Sequence, residues 1–296
     1  MNRSEAITVF DNYVSNYDRS NPMIYQKAAH SHRVAAIAER IAKSLDHEMP
    51  LGPARSLVHE APVDPARNLD HEAPVVLSHE ALVDFAWLLG LLHDIGRFEQ
   101  VRKYNTFNDD ESVDHAELGA DILFKEGLID LFPTSTLPEG WLSIAETAIR
   151  QHNKLNLAEG LDETTETLSN ILRDADKVDI FRVLIELSYS NHNRGINLVQ
   201  PENYEVSPEV MKFVMAHRCV PRDVRKTFFD RRVSHCCLAF ELVYEESRVI
   251  TREQGYLHKL LTMQDEDGLQ TRNSEQLEKL ALVEREIEKA WGAEPK

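Results

Sequence analysis

Apolar and polar positions along the chain follow the spacing of amphipathic helices. In residues 24–46, Val34, Ile37, Ile41 and Leu45 recur at steps of three and four, which places them on one face of a helix. The same spacing predicts further helices at residues 112–125, 141–153, 166–189, 233–246 and 275–291. Runs with the alternation typical of strands are absent from the sequence, so the pattern predicts an all-α protein.

One predicted helix differs from the others because it is apolar on nearly every face. Residues 80–95 form this segment, which is typical of a helix buried on all sides and is expected to end at Gly96. The adjacent pair His93-Asp94 falls at its end and is therefore expected to lie deep in the protein. The polar stretch from Arg97 to Asp110 is expected to be a loop.

The helical spacing also separates candidate functional residues from their neighbours. His30 shares the apolar stripe with Val34, whereas His32 lies about 200° round the helix and is expected to face solvent. In the predicted helix at residues 166–189, Asp176 falls on one apolar stripe and Asp174 on the opposite one. His30 and Asp176 are the preferred candidates, with His32 and Asp174 as the alternatives.

Histidine and carboxylate side chains on inward faces favour a metal centre. A single such histidine is usually a core residue, but burying several ionisable groups together is costly unless a cation compensates. Nitrogen and oxygen donors are the ligands that many divalent metals prefer. The candidate ligands in chain order are His30, His93, Asp94, His115, His152 and Asp176. We expect one or two divalent ions, and the sequence does not distinguish Mn, Fe, Co, Ni, Zn or Mg.

Residues 46–80 have a different composition from the rest of the chain. A twelve-residue unit repeats in tandem there, with prolines at positions 50, 53, 62, 65 and 74 and His-Glu at 47, 59 and 71. A proline-rich surface insertion between two helices is favoured over a second metal site. We therefore expect a metal-binding helical domain at residues 1–200 that carries this insertion, and a C-terminal helical extension at 201–296 packed on the same domain.

Charge and cysteine content narrow the expected partners and compartment. The net charge of -17 repels nucleic-acid polymers and anionic membranes, so neither is an expected partner. The three cysteines form no CxxC pair, and the first residues lack a signal-peptide pattern, which together favour a cytoplasmic location. A basic cluster in the C-terminal part is expected to form a solvated surface or a contact between subunits, so assembly into a homo-oligomer stays an open alternative. The cluster consists of Arg222, Arg225, Lys226, Arg231 and Arg232.

Three short phrases resemble the signature of the HD-domain superfamily, whose members are all-helical metal-dependent phosphohydrolases. They are His30-Ser-His-Arg-Val-Ala, Leu92-His-Asp-Ile-Gly-Arg97 and Asp174-Ala-Asp-Lys177. The resemblance covers roughly residues 20–190 and implies an HD-domain helical bundle with a C-terminal helical extension. It implies four primary metal ligands, which are His30, His93, Asp94 and Asp176.

The resemblance also bears on the number of metal ions. Two-metal members of the family add two histidines between the His-Asp pair and the last Asp, and His115 and His152 stand in those places. Asp94 would then bridge the two ions. Arg97 replaces the lysine found in many of these members, and it can still hold a phosphate. The Gly-Tyr-Pro motif of the cyclic-di-GMP phosphodiesterases is missing, so cyclic-di-GMP is not a favoured substrate.

The expected function is a metal-dependent phosphohydrolase or phosphodiesterase. A hydroxide held by the metal would attack the phosphorus of a small phosphorylated metabolite or nucleotide. Asp94, Arg97 and Lys177 are the expected catalytic residues, with Lys103 as a further basic candidate near the substrate. Two alternatives stay open: a mixed-valence di-iron oxygenase of the same fold, and a non-catalytic metal-bound nucleotide sensor or scaffold.

Overall fold

A computed structural model describes residues 1–45, 49–51, 75–186, 205–262 and 274–292. These residues are predominantly helical, which confirms the predicted all-α class. Within the described residues, no helix is both long and apolar enough to cross a bilayer. The chain divides into two compact units, Met1–Arg173 and Asp174–Lys296. The domain boundary predicted at residue 200 lies outside the described residues.

The first unit begins with two capped helices and continues through further α-helices of varied length. Asn2 and Asn21 each accept a hydrogen bond from a backbone N–H of the following first turn, and Pro22 occupies the first helical position of the second helix. The helices are α1 (Arg3–Val14), α2 (Pro22–Lys43), α3 (His79–Leu92), α4 (Ile95–Tyr104), α5 (His115–Ala120), α6 (Trp141–Gln151) and α7 (Glu163–Glu186), and the division between the units falls within α7.

Helices α2 and α3 pack at very short range because α3 carries a glycine at the contact. A Cβ atom on Gly90 would lie 2.7 Å from Cα and 2.8 Å from N of Ala35. Only a residue without a side chain fits that separation. This contact fixes the register between the two helices that carry His30 and His93.

A break between α3 and α4 replaces the loop that the sequence predicted. Helix α3 ends at Leu92, His93 caps it, and Asp94 leaves the helical conformation before α4 begins at Ile95. The prediction of a loop from Arg97 onward is therefore wrong as far as Tyr104. Helix formation there is explained by Ile95, Phe98 and Val101, which are buried and recur at three-residue steps.

Helix α5 packs against α4 through a second glycine contact. A Cβ atom on Gly96 would lie 2.2 Å from the His115 carbonyl oxygen and 2.6 Å from N of Gly119. The backbone of α5 therefore lies against the start of α4, next to the His93-Asp94 break. The predicted helix 112–125 is shorter than expected, because its α-helical part ends at Ala120 and one π-helical turn follows at Asp121–Lys125.

A short antiparallel ribbon lies where the predicted insertion begins and ends. Strand β1 (Met49–Leu51) pairs with β2 (Val75–Leu77), an element that the sequence pattern did not predict. The repeat segment between the strands, residues 52–74, and residues 46–48 before them lie outside the described residues. Its assignment as a surface insertion stays a prediction.

The second unit consists of short helices around its own apolar core. They are α8 (Pro208–Met215), α9 (Phe228–Cys236), α10 (Glu245–Gln254), α11 (Tyr256–Leu261) and α12 (Ser274–Ala290). Thr227 and Asp230 form a capping box at the start of α9. Arg232 was predicted to belong to a solvated basic cluster, but its side chain is fully buried and donates to the Leu260 carbonyl.

Candidate metal centre

Four histidines surround one aspartate in the first unit. This group, which we call the Asp94 cluster, consists of Asp94 with His30, His93, His115 and His152. All five are buried, with exposed fractions of 5% or less. Four elements supply them: α2, the break between α3 and α4, the start of α5 and the end of α6. The sequence predicted that these side chains face the interior, and their burial agrees with that prediction.

The two oxygens of the Asp94 carboxylate face different histidines. Oδ2 lies 3.5 Å from Nε2 of His30 and 3.4 Å from Nε2 of His93. Oδ1 lies 3.4 Å from Nε2 of His115 and 3.9 Å from Nε2 of His152. The carboxylate thus joins two groups of donors, each made of one carboxylate oxygen and two imidazole nitrogens.

Hydrogen bonds outside the cluster orient three of the imidazole rings. Nδ1 of His93 and Nδ1 of His152 lie 2.8 Å and 2.6 Å from the backbone carbonyl oxygen three residues earlier. A carbonyl oxygen can only accept, so we assign the ring proton to Nδ1 in both. Nδ1 of His115 lies 2.7 Å from Oδ2 of Asp109, whose carboxylate fixes the same tautomer. In each ring, Nε2 then directs its lone pair into the cluster, as metal-ligating histidines do.

The donor set therefore fits a divalent cation. Nε2 of His115 and Nε2 of His152 are 3.0 Å apart, although with both protons on Nδ1 neither nitrogen can donate to the other. Two lone pairs at this distance repel, and a cation coordinated by both removes the repulsion. Imidazole nitrogen and carboxylate oxygen are suitable donors for Zn, Fe, Mn, Co and Ni, so the chemistry of the set does not select among them.

Charge within the cluster keeps the donors in their metal-binding forms. Burial alone would raise the pKa of Asp94, but the positive charge of Lys27 and the contact with His93 hold it well below its usual range. Burial and the nearby Arg97 guanidinium lower the pKa of His115. Asp94 is therefore an anion and His115 a neutral imidazole at neutral pH.

Arg97, one of the predicted catalytic residues, is held in place beside the cluster. Its Nη1 atom lies 2.7 Å from Oε1 of Gln100, 2.8 Å from the Phe107 carbonyl oxygen and 2.8 Å from Oδ1 of Asp109. Its Nε atom is 3.6 Å from Oδ1 of Asp94. Lys103 is instead exposed, and its Nζ atom lies 3.0 Å from Oε1 of Glu99. The substrate contact predicted for Arg97 stays a prediction.

Two residues at the site were missed by the sequence reasoning. Lys27 lies one helical turn before His30, and its Nζ atom is 2.6 Å from Oδ2 of Asp94. That i, i+3 spacing was a signal that could have found it. Asp109, which orients His115, begins a 3₁₀-helix (Asp109–Glu111) in the stretch predicted to be a loop, and it carried no comparable signal.

The remaining predicted residues belong to the second unit. The Asp174 carboxylate accepts hydrogen bonds from the backbone N–H groups of Val243 and Tyr244 and from the Ser247 hydroxyl. Burial nevertheless raises its pKa. Because the Asp174 carboxylate is occupied by these hydrogen bonds at the start of α10, Asp176 is the favoured metal ligand of the two aspartates. The metal-binding role of Asp176 stays a prediction.

Lys177, the other predicted catalytic residue of the second unit, is buried. Its Nζ atom lies 3.0 Å from Oε2 of Glu241, which belongs to the same unit. The ion pair satisfies the buried ammonium group. The predicted contact between Lys177 and a substrate stays a prediction.

Comparison with known proteins gave one family match. A family model described as HD domain matches residues 28–180, which is more than half of the chain and includes all six predicted ligands. No curated protein matched the chain. No solved structure matched it either.

Proposed function

The chain belongs to the HD-domain family of metal-dependent phosphohydrolases, and from this membership we propose that it hydrolyses a phosphate ester of a small metabolite or nucleotide. The charge of the site's surroundings supports this substrate class, because Lys27 and Arg97 flank Asp94. Phosphoryl oxygens are the anionic groups that such cations bind. The strongly negative net charge of the chain argues against polymeric nucleic acid.

The observation that supports this proposal most directly is the placement of Asp94 between two pairs of imidazoles. Its two oxygens face His30 and His93 on one side and His115 and His152 on the other. We therefore propose that two divalent ions bind, with Asp94 shared between them.

When bound, such ions would lower the pKa of a coordinated water toward about 7 and polarise the phosphoryl group. The chain's own residues have separate tasks. The four histidines and Asp94 would hold the cations, and Asp109 keeps His115 in the tautomer whose Nε2 lone pair faces the cluster. Arg97 places a fixed positive charge beside Asp94, where it stabilises negative charge that develops on the phosphoryl oxygens.

Burial of the cluster strengthens each of these contributions. The ligands lie in the interior, and Lys27 and Arg97 have side chains only 13% and 14% exposed. Charges separated from bulk water interact more strongly than charges at the surface. The same burial limits access, which favours a small substrate.

The test is a turnover screen of purified protein loaded with Mn²⁺, Co²⁺, Zn²⁺ or iron against a panel of phosphorylated metabolites and nucleotides. Asp94→Asn removes the shared anion and is expected to abolish turnover, whereas Asp130→Asn, at an exposed aspartate of the same unit, is the matched control. Phosphate release that Asp94→Asn retains would contradict the proposal. So would a mixed-valence di-iron signal without any phosphatase turnover, which would favour the oxygenase.

The same screen tests the ligand proposed in the second unit. Asp176→Asn is expected to lower both bound metal and turnover. Asp174→Asn changes a carboxylate that caps α10 and is expected to lower stability while metal content is retained. The reverse result would assign the ligand to Asp174.

A further inference from the structure

Lys27 makes the closest contact to the shared carboxylate of the Asp94 cluster. Its Nζ atom is 2.6 Å from Oδ2 of Asp94, the oxygen that also faces Nε2 of His30 and of His93. The ammonium group therefore lies against the oxygen to which a cation held by these two histidines would bind.

The ammonium group and a divalent cation cannot both stay in contact with this oxygen. Two positive charges at such short separation repel strongly inside a protein, where screening by water is weak. A lysine side chain can move away because four methylene groups separate its charge from the backbone. Metal binding at His30 and His93 is therefore expected to displace the Lys27 ammonium from Asp94.

The surroundings define where the displaced ammonium remains. Lys27 Nζ lies 5.4 Å from the centre of the Phe107 ring, and the Arg97 guanidinium carbon lies 5.6 Å from the same ring. An aromatic face attracts both cations and holds them beside the cluster. Arg97 is fixed by three acceptors at Nη1, whereas Asp94 is the only hydrogen-bond acceptor that the described residues give to the Lys27 ammonium.

We propose that Lys27 is a phosphate-binding residue that neutralises Asp94 before metal binds and contacts a phosphoryl oxygen of the substrate afterwards. The inference rests on the proposed function and adds a specific substrate contact to it. Pairing with the Lys27 ammonium also explains how the buried Asp94 carboxylate is neutralised when no metal is bound.

The first measurement is Mn²⁺ affinity by titration calorimetry on protein stripped of metal. Lys27→Met removes the competing charge and is expected to tighten binding by about tenfold, because its loss ends a charge-assisted hydrogen bond that the metal must break. Lys43→Met is the matched control, since Lys43 lies on the same helix and pairs with Glu39. Weaker Mn²⁺ binding by Lys27→Met would overturn the proposal.

Thermal unfolding separates this role from a structural one. Metal-free Lys27→Met leaves Asp94 buried without its ammonium partner, so its Tm is expected to fall below that of the wild type. Saturating Mn²⁺ is expected to restore the wild-type Tm. A deficit that persists in the metal-loaded protein would assign Lys27 a structural role and overturn the proposal.

The decisive measurement is binding of inorganic phosphate to the Mn²⁺-loaded protein. Lys27→Met is expected to weaken it about tenfold, the factor for one charge-assisted hydrogen bond, while Lys27→Arg retains most of the affinity. Equal phosphate affinity in Lys27→Met and wild type, or no phosphate binding by the wild type, would refute the role of Lys27. Failure of the proposed function is seen separately, as absence of wild-type turnover in the substrate screen.

Discussion

The close approach of α4 and α5 leads to a prediction about Gly96→Ala. The added Cβ atom would lie 2.2 Å from the His115 carbonyl oxygen and 2.6 Å from N of Gly119, and both are backbone atoms. Ordinary contact requires the two helices to move apart by about 1 Å. Overpacking of this kind costs up to about 3 kcal/mol, and the better helix propensity of alanine returns about 1 kcal/mol. The free energy of unfolding is therefore expected to fall by about 2 kcal/mol.

The same movement is expected to disturb the Asp94 cluster, because His115 is the first residue of α5. Metal ligands tolerate displacements of only about 0.2 Å, so a shift of His115 relative to Asp94 should weaken Mn²⁺ binding at least tenfold, as loss of a ligand's support does. Urea denaturation measures the stability change and titration calorimetry measures the metal affinity.

Two further variants calibrate Gly96→Ala. Ala36→Gly, at an exposed position of α2, should cost about 1 kcal/mol of stability with no change in metal affinity. Gly119→Ala should have a smaller effect than Gly96→Ala, since its Cβ atom would lie 3.0 Å from N of Gly96. If Gly96→Ala is as stable as the wild type and binds Mn²⁺ equally well, the packing argument is wrong.

Three other changes have defined outcomes. Asp109→Asn removes the anion that orients His115 and should weaken Mn²⁺ binding by about 10- to 100-fold in calorimetry; an unchanged affinity would contradict this role. Adding Mn²⁺ at about 100 times its Kd to metal-free protein should raise the free energy of unfolding by about 2.7 kcal/mol, and an unaltered Tm would argue against a metal site in the folded state. Burial alone would raise the pKa of Glu39, but its hydrogen bonds with Lys43 and Arg3 bring it below the ordinary value of 4.5. Its stabilising contribution is therefore present above that pH and lost as the pH falls through the folded-state value, so Glu39→Gln should be about 1 kcal/mol less stable at pH 7 and the difference should shrink in acid. If the difference in unfolding free energy between Glu39→Gln and the wild type is the same in acid as at pH 7, this account of Glu39 is wrong.

The helical framework of the site could be predicted from the sequence because its helices have clear apolar stripes. Helix α2 was expected at residues 24–46 and α3 at 80–95, close to their observed bounds. Helix α4 was missed because Gly96 was interpreted as a terminator. In the structure this glycine instead permits the close approach of α5, a reason that depends on a neighbour distant in sequence.

The candidate ligands were accessible to sequence reasoning to different degrees. His30 and His93 lie on helices whose faces could be assigned, and the adjacent His-Asp pair marked the break itself. The partners that orient and neutralise them were not found. Asp109 reaches His115 from a short 3₁₀-helix in the stretch that was predicted to be a loop, and Lys27, although it lies on the same side of α2 as His30, contacts a carboxylate from outside its own helix. Periodicity within one helix indicates which residues share a face, as Lys27 and His30 do, but it does not identify the residue of another element that they contact.

The pairing of β1 with β2 has a consequence for changes in the number of repeat units. Because the strands are antiparallel, with Met49 opposite Leu77, the chain leaves the ribbon after β1 and re-enters it at β2 at adjacent positions. We therefore expect a protein with one twelve-residue unit more or fewer to keep α2 and α3, and with them His30 and His93, in place, because the pairing of β1 with β2 holds both ends of the segment.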